Sequence, residues 1–527
     1  MGVLGDNGNG SEQEQTLPAP ILRIETDPDV LRSFLSDAAH VPGGTAAGVV
    51  FPRTVGDVSA LVASVSAVLP VGAQSSLTGG ATPRGEVVLS TRALTGISVE
   101  GRSLVRVGAG VPLNALQRAL AQDGLWYPPA PTYDGAFVGG TVATNAAGAA
   151  TFKYGTTRTW VQGLTLVLAD GRVLTLRRGD VAASPAGFVV EPSTGPVLRV
   201  PLPVYTMPHV PKLSAGYYAK PGMDLVDLII GSEGTLAVIV DVTLRVVPRP
   251  RQIVALVACA NDTQAIAVTR ALRVAAEMAW RGQGALDVAA IEYMDAPSLG
   301  RVPDEVFGRA GTERPHGGEA LLLMQIEVEA DGDDALESLE TLLAGHGVGA
   351  DPVVALSGDE AGAARLFELR EAVPAATNAA VAAAKTLDPE IQKTAADVIV
   401  PFERLPEALA LYRRVFESRS LDHAIWGHIS DGNLHPNVIP RTGADVDRGR
   451  DALVEIARGV MAMGGSPLAE HGVGRSPLKQ QLLRDLYGEV GIDQMRAVKR
   501  ALDPTWKLAP GVLFPAPPGL SRERRLA

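Results

Sequence analysis

The amino-acid sequence predicts an α+β fold divided into at least two domains, with a helical segment towards its C-terminal end. The 527 residues exceed what one hydrophobic core usually fills. Short apolar runs typical of strands alternate with stretches of helical periodicity along most of the chain. A change of composition at the Pro-Arg-Pro sequence 248–250 marks the best domain boundary.

In the first half, helical spacing predicts a short helix over residues 30–39. Residues 48–51, which precede Pro52, predict a strand. A helix over 57–69 then runs into a strand at 69–71 that opens on a Gly-rich loop, which together describe a β-α-β unit. The remaining elements predicted here are short strands between 87 and 107, a helix over 113–123 and β-hairpins over 164–200 with a tight turn at 169–171.

Beyond the boundary, strands are predicted at 253–258 and 320–328, with helices at 263–278 and 333–343. This alternation predicts an antiparallel sheet with helices on one face, in a separate α+β domain. The chain then becomes Ala-rich over 371–386, and helices are predicted over 449–463 and 492–502.

Composition narrows the class of protein. Hydrophobic residues make up 46% and charged residues 20%, which is typical of a globular chain. The net charge of −11 argues against a nucleic-acid partner. No apolar run reaches the roughly 18 residues of a transmembrane helix, and residues 1–20 lack the pattern of a signal peptide. The single cysteine, Cys259, fits a reducing compartment or a small buried side chain. We therefore expect a cytoplasmic protein, with a peripheral membrane location left open.

The first loop that indicates a ligand-binding function occupies residues 70–80, which read PVGAQSSLTGG and begin within the strand predicted at 69–71. Its glycines allow backbone N–H groups to approach a diphosphate, and its hydroxyl side chains add donors. No lysine follows the glycines, and the spacing is not G-x-G-x-x-G, so neither a P-loop nor a classical dinucleotide fold is favoured. An ordinary turn is the alternative for this loop taken alone.

The second loop, residues 131–148, reads PTYDGAFVGGTVATNAAG. Small residues over such a span, with Thr141, Thr144 and Asn145 as hydrogen-bonding groups, describe a backbone laid against a planar cofactor. A third loop of the same character, GSEGTL, occupies residues 231–236 and strengthens that interpretation over simple packing on a helix.

A histidine cluster is the third constellation. Residues 427–435 read GHISDGNLH, and residues 470–474 read EHGVG. The side chains of His428, His435 and Glu470 are a ligand set that suits a divalent metal such as Zn²⁺ or Mn²⁺, with positions left for a substrate.

Together these strings resemble the vanillyl-alcohol-oxidase, or PCMH-type, flavoprotein superfamily, and within it the group of D-lactate, glycolate and D-2-hydroxyglutarate dehydrogenases. The resemblance implies an α+β protein with a two-subdomain FAD-binding domain, an antiparallel-sheet cap domain for the substrate and a C-terminal helical segment. We predict a flexible tail at 1–25, the FAD domain at 26–250, the cap at 251–440 and a segment returning to the FAD domain at 441–527.

The resemblance also implies where FAD binds. The pyrophosphate is expected on the 72–80 loop and the flavin ring against 139–148, without a covalent bond because the 131–148 loop holds neither His nor Cys. The candidate FAD-binding residues are Gly72, Gln74, Ser75, Ser76, Thr78, Gly79, Pro131, Thr132, Gly139, Gly140, Thr144, Asn145, Gly148, Tyr154, Gly155, Glu233, Gly234 and Asn433.

The same resemblance implies a reaction, the oxidation of a D-2-hydroxy acid by hydride transfer from its Cα to flavin N5. His428, His435 and Glu470 would hold the metal and His471 would act as the base. Arg370, Lys393 and Asn437 are the candidate substrate-binding residues, with a surface salt bridge as the alternative for the first two. A quinone, a cytochrome or an electron-transfer protein would reoxidise the flavin, and a homodimer or an Fe–S partner subunit is left open.

Three alternatives remain at this point. One is a non-redox FAD transferase resembling alkyl-dihydroxyacetonephosphate synthase. Another is the flavin subunit of a glycolate oxidase type complex, in which any Fe–S centre would lie on another chain. The third is a catalytically inactive flavin-binding module, which the complete histidine cluster disfavours.

Overall fold

The computed structural model describes residues 23–129, 131–192, 194–315, 319–329, 332–349 and 351–515. The predicted tail therefore lies outside the described residues, except for its last three positions. In the described part of the chain, no helix is both long enough and apolar enough to cross a membrane.

Most strands in the first half of the chain form two sheets that share one hydrophobic core, and four further short strands pair two by two. One is a parallel three-stranded sheet in the order β1-β3-β2, and the other is an antiparallel five-stranded sheet in the order β4-β5-β11-β7-β8. The strands are β1 (Gly48–Val50), β2 (Val68–Val71), β3 (Val87–Ser90), β4 (Ile97–Glu100), β5 (Leu104–Gly108), β6 (Leu125–Trp126), β7 (Val161–Val167), β8 (Val173–Arg177), β9 (Phe188–Val190), β10 (Leu198–Val200), β11 (Val238–Arg245) and β12 (Val247–Pro248). The helices are α1 (Pro28–Arg32), α2 (Val55–Ser64), α3 (Leu113–Ala121), α4 (Val138–Ala143), α5 (Thr151–Tyr154), α6 (Thr157–Trp160) and α7 (Leu225–Ile229).

The predicted β-α-β unit is confirmed, with α2 between the parallel strands β1 and β2. Helix α2 begins two residues earlier than predicted because Thr54 and Asp57 form a capping box. The helix predicted over 30–39 is wrong in its second half, since α1 ends at Arg32. There the buried Asp37 carboxylate accepts the backbone N–H groups of Ala39 and Ala81, which favours an irregular turn over a helix.

The second half of the chain is built around an eight-stranded sheet in the order β16-β13-β15-β14-β19-β20-β17, with β18 paired to β20 and every pairing antiparallel. Its strands are β13 (Arg251–Cys259), β14 (Asp287–Met294), β15 (Ala320–Val328), β16 (Val353–Ala355), β17 (Thr394–Ala395), β18 (Val398–Ile399), β19 (His423–His428) and β20 (Asn433–Val438). Its helices and those that follow are α8 (Asp262–Ala279), α9 (Ala296–Leu299), α10 (Asp304–Arg309), α11 (Asp333–Gly345), α12 (Glu360–Leu387), α13 (Leu405–Glu417), α14 (Gly443–Ala462) and α15 (Pro477–Leu502).

Helices cover both faces of this sheet, which corrects the prediction of one covered face. Alternate residues of β13 enter different cores: Ile253 packs with α8 and α11, whereas Val254 packs with α9, α10 and α12. The Ala-rich stretch 371–386 is the second half of α12. Both faces of the strands are therefore apolar, so a strict polar and apolar alternation is absent.

The chain returns to the first core near its end. Side chains of α15 and of the segment that follows it, including Leu483, Met495 and Phe514, pack in the first core. Backbone hydrogen bonds join β2 to this segment, from Val68 N to Lys507 O and from Ala509 N to Val68 O. Helix α14, in contrast, packs in the second core. The domain bounds themselves stay a prediction.

Candidate active site

A cleft of about 310 Å³ opens where the three Gly-rich loops meet. Its walls are residues of the 70–81 loop, the 131–147 loop and the 233–239 stretch, and Glu470 and His471 close one side. The loops converge because the first follows β2, the second leads into and out of α4, and the third precedes β11. The sequence prediction that these distant Gly-rich segments face a common ligand space is thus matched by their placement.

The first loop approaches α4 closely. A Cβ on Gly72 would lie 3.5 Å from Cβ of Phe137, so a larger side chain would crowd the turn. Gln74 has a φ of 55°, and its Nε2 donates to the carbonyl oxygens of Phe34 and Ser36 at 3.1 Å each. The amide of Gln74 therefore shapes the loop, while the residue itself lines the cleft.

Helix α4 presents bare backbone to the cleft at Gly140, where an added Cβ would meet nothing within 4 Å. Gly139 has a different role, because a Cβ there would lie 2.6 Å from Cβ of Ala109. The hydroxyl groups of Thr141 and Thr144 donate to carbonyl oxygens of the preceding turn. A flat, unobstructed backbone of this kind fits a planar ring system.

Of the predicted FAD-binding residues, eleven line the cleft, and seven do not. The eleven are Gly72, Gln74, Ser75, Ser76, Pro131, Thr132, Gly139, Gly140, Thr144, Glu233 and Gly234. The seven outside it are Thr78, Gly79, Asn145, Gly148, Tyr154, Gly155 and Asn433.

Several of the seven have visible structural contacts instead. Asn145, with a φ of 50°, accepts the backbone N–H of Arg158 at 3.0 Å. The hydroxyl of Tyr154 donates to Glu327 of the second half of the chain at 2.6 Å. Asn433 donates through Nδ2 to the carbonyl oxygen of Val398 at 2.8 Å.

Glu233 ties the third loop to the C-terminal segment. Its two carboxylate oxygens accept the backbone N–H groups of Val473 and Gly474 at 2.8 and 2.7 Å. Burial raises the pKa of Glu233 to about 7, although these two hydrogen bonds act to lower it. Glu233 therefore fixes the third loop to the segment that carries His471.

Three imidazole rings converge on one oxygen beside the cleft. Oε1 of Glu470 lies 3.5 Å from Nε2 of His428, 3.4 Å from Nε2 of His435 and 3.5 Å from Nε2 of His471. The rings of His435 and His471 are stacked with centroids 5.2 Å apart. The sequence prediction that these four residues meet in space is matched by this geometry.

A carboxylate lies beside Nδ1 of each ring. Glu292 accepts a hydrogen bond from Nδ1 of His428. Nδ1 of His435 lies 3.6 Å from Oδ1 of Asp397, and Nδ1 of His471 lies 3.5 Å from Oδ2 of the same residue. The hydrogen bond to Glu292 directs Nε2 of His428 towards the shared centre.

A lysine that the sequence analysis missed completes the cluster. Lys212 is fully buried, and its Nζ lies 2.9 Å from Oε2 of Glu470 and 3.3 Å from Oδ2 of Asp431. Burial lowers the pKa of Lys212, but the two carboxylates outweigh it and the net shift is upward. Lys212 is therefore a fixed cation on one side of the cluster.

The cluster carries an excess of negative charge that a divalent cation would balance. Four carboxylates with side chains at most 10% exposed, those of Glu292, Asp397, Asp431 and Glu470, face two cations of similar burial. The cations are Lys212 and Arg370, and the ring of His428 is a third while it is protonated, so one negative charge is left over. Burial lowers the pKa of His428, but Glu292 and Glu470 reverse this and raise it to about 9. Ligand atoms of Asp397, His435, Glu470 and His471 also lie within 4.8 Å of one another, which suits a metal ion.

The three predicted substrate-binding residues lie in different settings. Arg370, on α12, donates through Nε to Oε2 of Glu292 at 2.7 Å, and its terminal nitrogens make no hydrogen bond to a described residue. Asn437 is buried on β20 and donates to the carbonyl oxygen of His435 at 2.7 Å. Lys393 is exposed and forms no ion pair with any residue of the described ranges.

Sequence reasoning missed Glu292, Lys212 and the role of Asp431. Glu292 had a detectable signal, since it is the one charged residue within the apolar run 288–294. Asp431 stands inside the GHISDGNLH string. Lys212 lies in an irregular segment without a motif, and only the fold brings it to Glu470.

Comparisons with known families agree with this geometry. A model described as "FAD binding domain" matches residues 46–177, and one described as "FAD linked oxidases, C-terminal domain" matches residues 250–513. The chain is 31% identical to a D-2-hydroxyglutarate dehydrogenase of Xanthomonas citri pv. viticola over 95% of its own length and 96% of that protein. It is 30% identical to a D-lactate dehydrogenase of Archaeoglobus fulgidus over 84% of each chain. It is 27% identical to the glycolate oxidase subunit GlcD of Bacillus subtilis, over 88% of each.

Solved structures share the fold. A structure of alkyldihydroxyacetonephosphate synthase superposes with a TM-score of 0.58 at 16% identity, over 88% of this chain and 75% of that one. A likeness at this level of identity concerns the fold alone. The family matches across both halves and the 31% identity to a dehydrogenase of the same length show that the chain is an FAD-binding oxidoreductase that belongs to the FAD-linked oxidase family.

Proposed function

We propose that the protein oxidises a D-2-hydroxy acid to the 2-oxo acid at the histidine cluster beside the cleft. The observation that carries this proposal is the convergence of three imidazole Nε2 atoms on Glu470, with His471 also facing the cleft. The names of the relatives support it, because they act on D-2-hydroxyglutarate, D-lactate and glycolate. Bound FAD supplies the hydride acceptor for this chemistry.

His471 is the base in this proposal. Burial, helped by Lys479, lowers the pKa of His471 to about 4 against the opposing charge of Asp397. The imidazole is therefore neutral near pH 7 and can accept the proton of the substrate 2-hydroxyl. Its ring is 31% exposed, unlike those of His428 and His435, which suits a group that meets the substrate.

His428, His435 and Glu470 would hold a divalent metal, Zn²⁺ or Mn²⁺. The excess negative charge of the cluster and the shared direction of the Nε2 atoms support this ligand set. A bound metal would lower the pKa of the 2-hydroxyl and so ease its deprotonation. The set of Asp397, His435, Glu470 and His471 is less suitable, because Asp397 already accepts the backbone N–H groups of Glu470 and His471 at 2.8 Å.

Arg370 would bind the substrate carboxylate with the terminal nitrogens that Glu292 leaves unused. Asn437 would act beside His435, whose carbonyl oxygen accepts its side-chain N–H. Lys393, being exposed, would meet the substrate from the solvent side. An external quinone, cytochrome or electron-transfer protein would then accept the electrons.

The binding of FAD would use the eleven predicted residues that line the cleft. Gly72 would let the 72–80 loop contact the pyrophosphate, and Gly140 would let the flavin ring lie on α4. Thr78, Gly79, Asn145, Gly148 and Gly155 would support these loops from behind the wall.

Anaerobic flavin bleaching tests this function. The purified holoenzyme would be mixed with D- and L-2-hydroxy acids, and the absorbance of the oxidised flavin followed with and without EDTA. Bleaching by D-acids that EDTA abolishes and Zn²⁺ or Mn²⁺ restores is the expected result. A yellow protein that no hydroxy acid reduces would contradict the proposal and favour a non-redox FAD transferase or a flavin subunit that needs a partner.

A further inference from the structure

A buried carboxylate outside the predicted motifs controls one ring of the cluster. Glu292 lies on β14 within the apolar run 288–294, and it is 3% exposed. A charged group in such a position is costly unless it is paired. Its two oxygens are both used, one by His428 and the other by Arg370.

The sheet register explains the first of these contacts. Strands β14 and β19 are antiparallel neighbours, and Glu292 stands directly opposite His428. Directly opposed residues on adjacent strands have Cβ atoms about 5 Å apart, which brings a carboxylate within reach of an imidazole. The contact is therefore built into the backbone pairing and does not depend on a flexible loop.

The second contact restrains the carboxylate itself. Arg370 reaches Glu292 from α12, which packs on the face of the sheet that Met294 and Trp426 share, with Nε 2.7 Å from Oε2. Because Oε2 is held by Arg370, Oε1 is the oxygen left to accept from Nδ1 of His428. A donor and acceptor chain thus runs from α12 through β14 to β19.

This chain decides which nitrogen of His428 faces the centre of the cluster. A carboxylate accepts and does not donate, so Nδ1 of His428 must carry a proton. The proton that a metal can displace is then the one on Nε2, which points at Glu470. We propose that Glu292, held by Arg370, is a positioning residue that keeps His428 in the Nδ1–H form and so makes Nε2 available as a metal ligand. The inference rests on the proposed metal site.

His435 lacks an equivalent restraint among the described residues. Its Nδ1 has no hydrogen-bond partner and lies 3.6 Å from Asp397. The two histidine ligands therefore differ, and Glu292 has the stronger hold on its ring.

The variant Glu292→Gln tests the proposal on the FAD-loaded protein. Glutamine keeps the volume but offers one acceptor oxygen in place of two. Arg370 can only donate, so it takes the amide oxygen, and the amide N–H then faces Nδ1 of His428. The ring must accept that N–H and carry its proton on Nε2. We expect Zn²⁺ affinity, measured by competition with a chromogenic chelator, to fall about 10- to 100-fold. Flavin content should stay unchanged.

The matched control is Asp287→Asn, which removes a carboxylate from the same strand at the Lys153 ion pair. It should leave Zn²⁺ affinity unchanged, and His435→Ala should abolish binding. If Glu292→Gln binds Zn²⁺ as tightly as the wild type while His435→Ala does not, Glu292 has only a structural role and the proposal is overturned. If the wild type binds no Zn²⁺, the proposed metal site fails together with this inference.

A second measurement uses the wild-type protein and so tests the proposal even if Glu292→Gln fails to fold. The wild-type holoenzyme, labelled with ¹⁵N-histidine and loaded with Zn²⁺, should show His428 with a protonated Nδ1 and a metal-shifted Nε2. The signal would be assigned by its loss in His428→Gln. A metal-shifted Nδ1 would overturn the proposal.

Discussion

Oδ2 of Asp397 accepts the backbone N–H of His471 at 2.8 Å and lies 3.5 Å from Nδ1 of the same residue. One carboxylate oxygen thus restrains both the main chain and the ring of the proposed base. Asp397 follows β17, and His471 lies in the segment that returns to the first core. The contact orients Nε2 away from Asp397, where it can face a substrate.

Replacing His471 by Gln removes the proposed base while it keeps a polar side chain. We expect the rate of anaerobic bleaching by a D-2-hydroxy acid to fall by at least about 100-fold, the usual contribution of a general base. The flavin content should match the wild type. His346→Gln, at an exposed histidine of α11's C-cap, is the control and should bleach normally. Normal bleaching by His471→Gln would remove this residue from the base role.

Arg370→Lys separates substrate binding from the structural ion pair. Lysine keeps a positive charge for Glu292 but cannot also present the free end of a guanidinium to a carboxylate. We expect KM to rise roughly 10- to 100-fold with a smaller change in kcat, as for a lost charge-assisted hydrogen bond. The control is Arg309→Lys, in the exposed pair with Glu368. An unaltered KM would leave Arg370 with the Glu292 contact alone.

An ion cluster joins the two halves of the chain close to the 131–148 loop. Nζ of Lys153, on α5, lies 2.6 Å from both Asp287 Oδ2 and Glu327 Oε2. Lys153→Met would leave the two carboxylates without their shared cation. We expect Tm to fall by roughly 2–5 °C, and to depend less on NaCl than in the wild type, because an attraction that salt screens is gone.

The control for this change is Lys385→Met, at an exposed lysine in the last turn of α12. It should leave Tm and its salt dependence unchanged. A Lys153→Met protein with wild-type stability would show that the cluster contributes nothing to the contact between the two halves.

Glu233 predicts a specific pH dependence. Its pKa in the folded chain, about 7, is above the ordinary value of 4.5 because of burial. The stability that Glu233 contributes is therefore full below pH 4.5 and is lost as pH rises through about 7. Glu233→Gln loses one acceptor for two backbone N–H groups but cannot ionise. We expect its Tm deficit relative to the wild type to be larger at pH 5 than at pH 8.

Thermal melts of the holoenzymes across this range provide the measurement. Glu360→Gln, at a side chain that is 86% exposed, should show no such trend. A deficit that grows as pH rises would contradict the assigned pKa shift of Glu233.

Much of the site was predictable from local sequence. The loops at 70–80, 131–148 and 231–236 are recognisable by their glycine content, and residues from all three line one cleft. The strings GHISDGNLH and EHGVG predicted that His428, His435, Glu470 and His471 would meet. Such motifs can be recognised in a sequence because they consist of particular residue types at short spacing.

Other expectations failed where long-range contacts compete with local preference. The helix predicted over 30–39 ends at Arg32 because Asp37 bonds to the backbone of Ala81, which is far along the chain. The prediction that helices cover one face of the eight-stranded sheet is wrong. Strand β13 is apolar on both faces, and α12 packs on the face opposite to α8 and α11.

The sequence by itself determined the family, the cofactor loops and the four residues of the cluster. Only the tertiary structure decided that Glu292 and Lys212 belong with them. Glu292 meets His428 through strand register, and Lys212 meets Glu470 from 258 positions away. The physical reason is that a buried charge acquires its role from partners that only folding brings within hydrogen-bonding distance, and no local pattern encodes those partners.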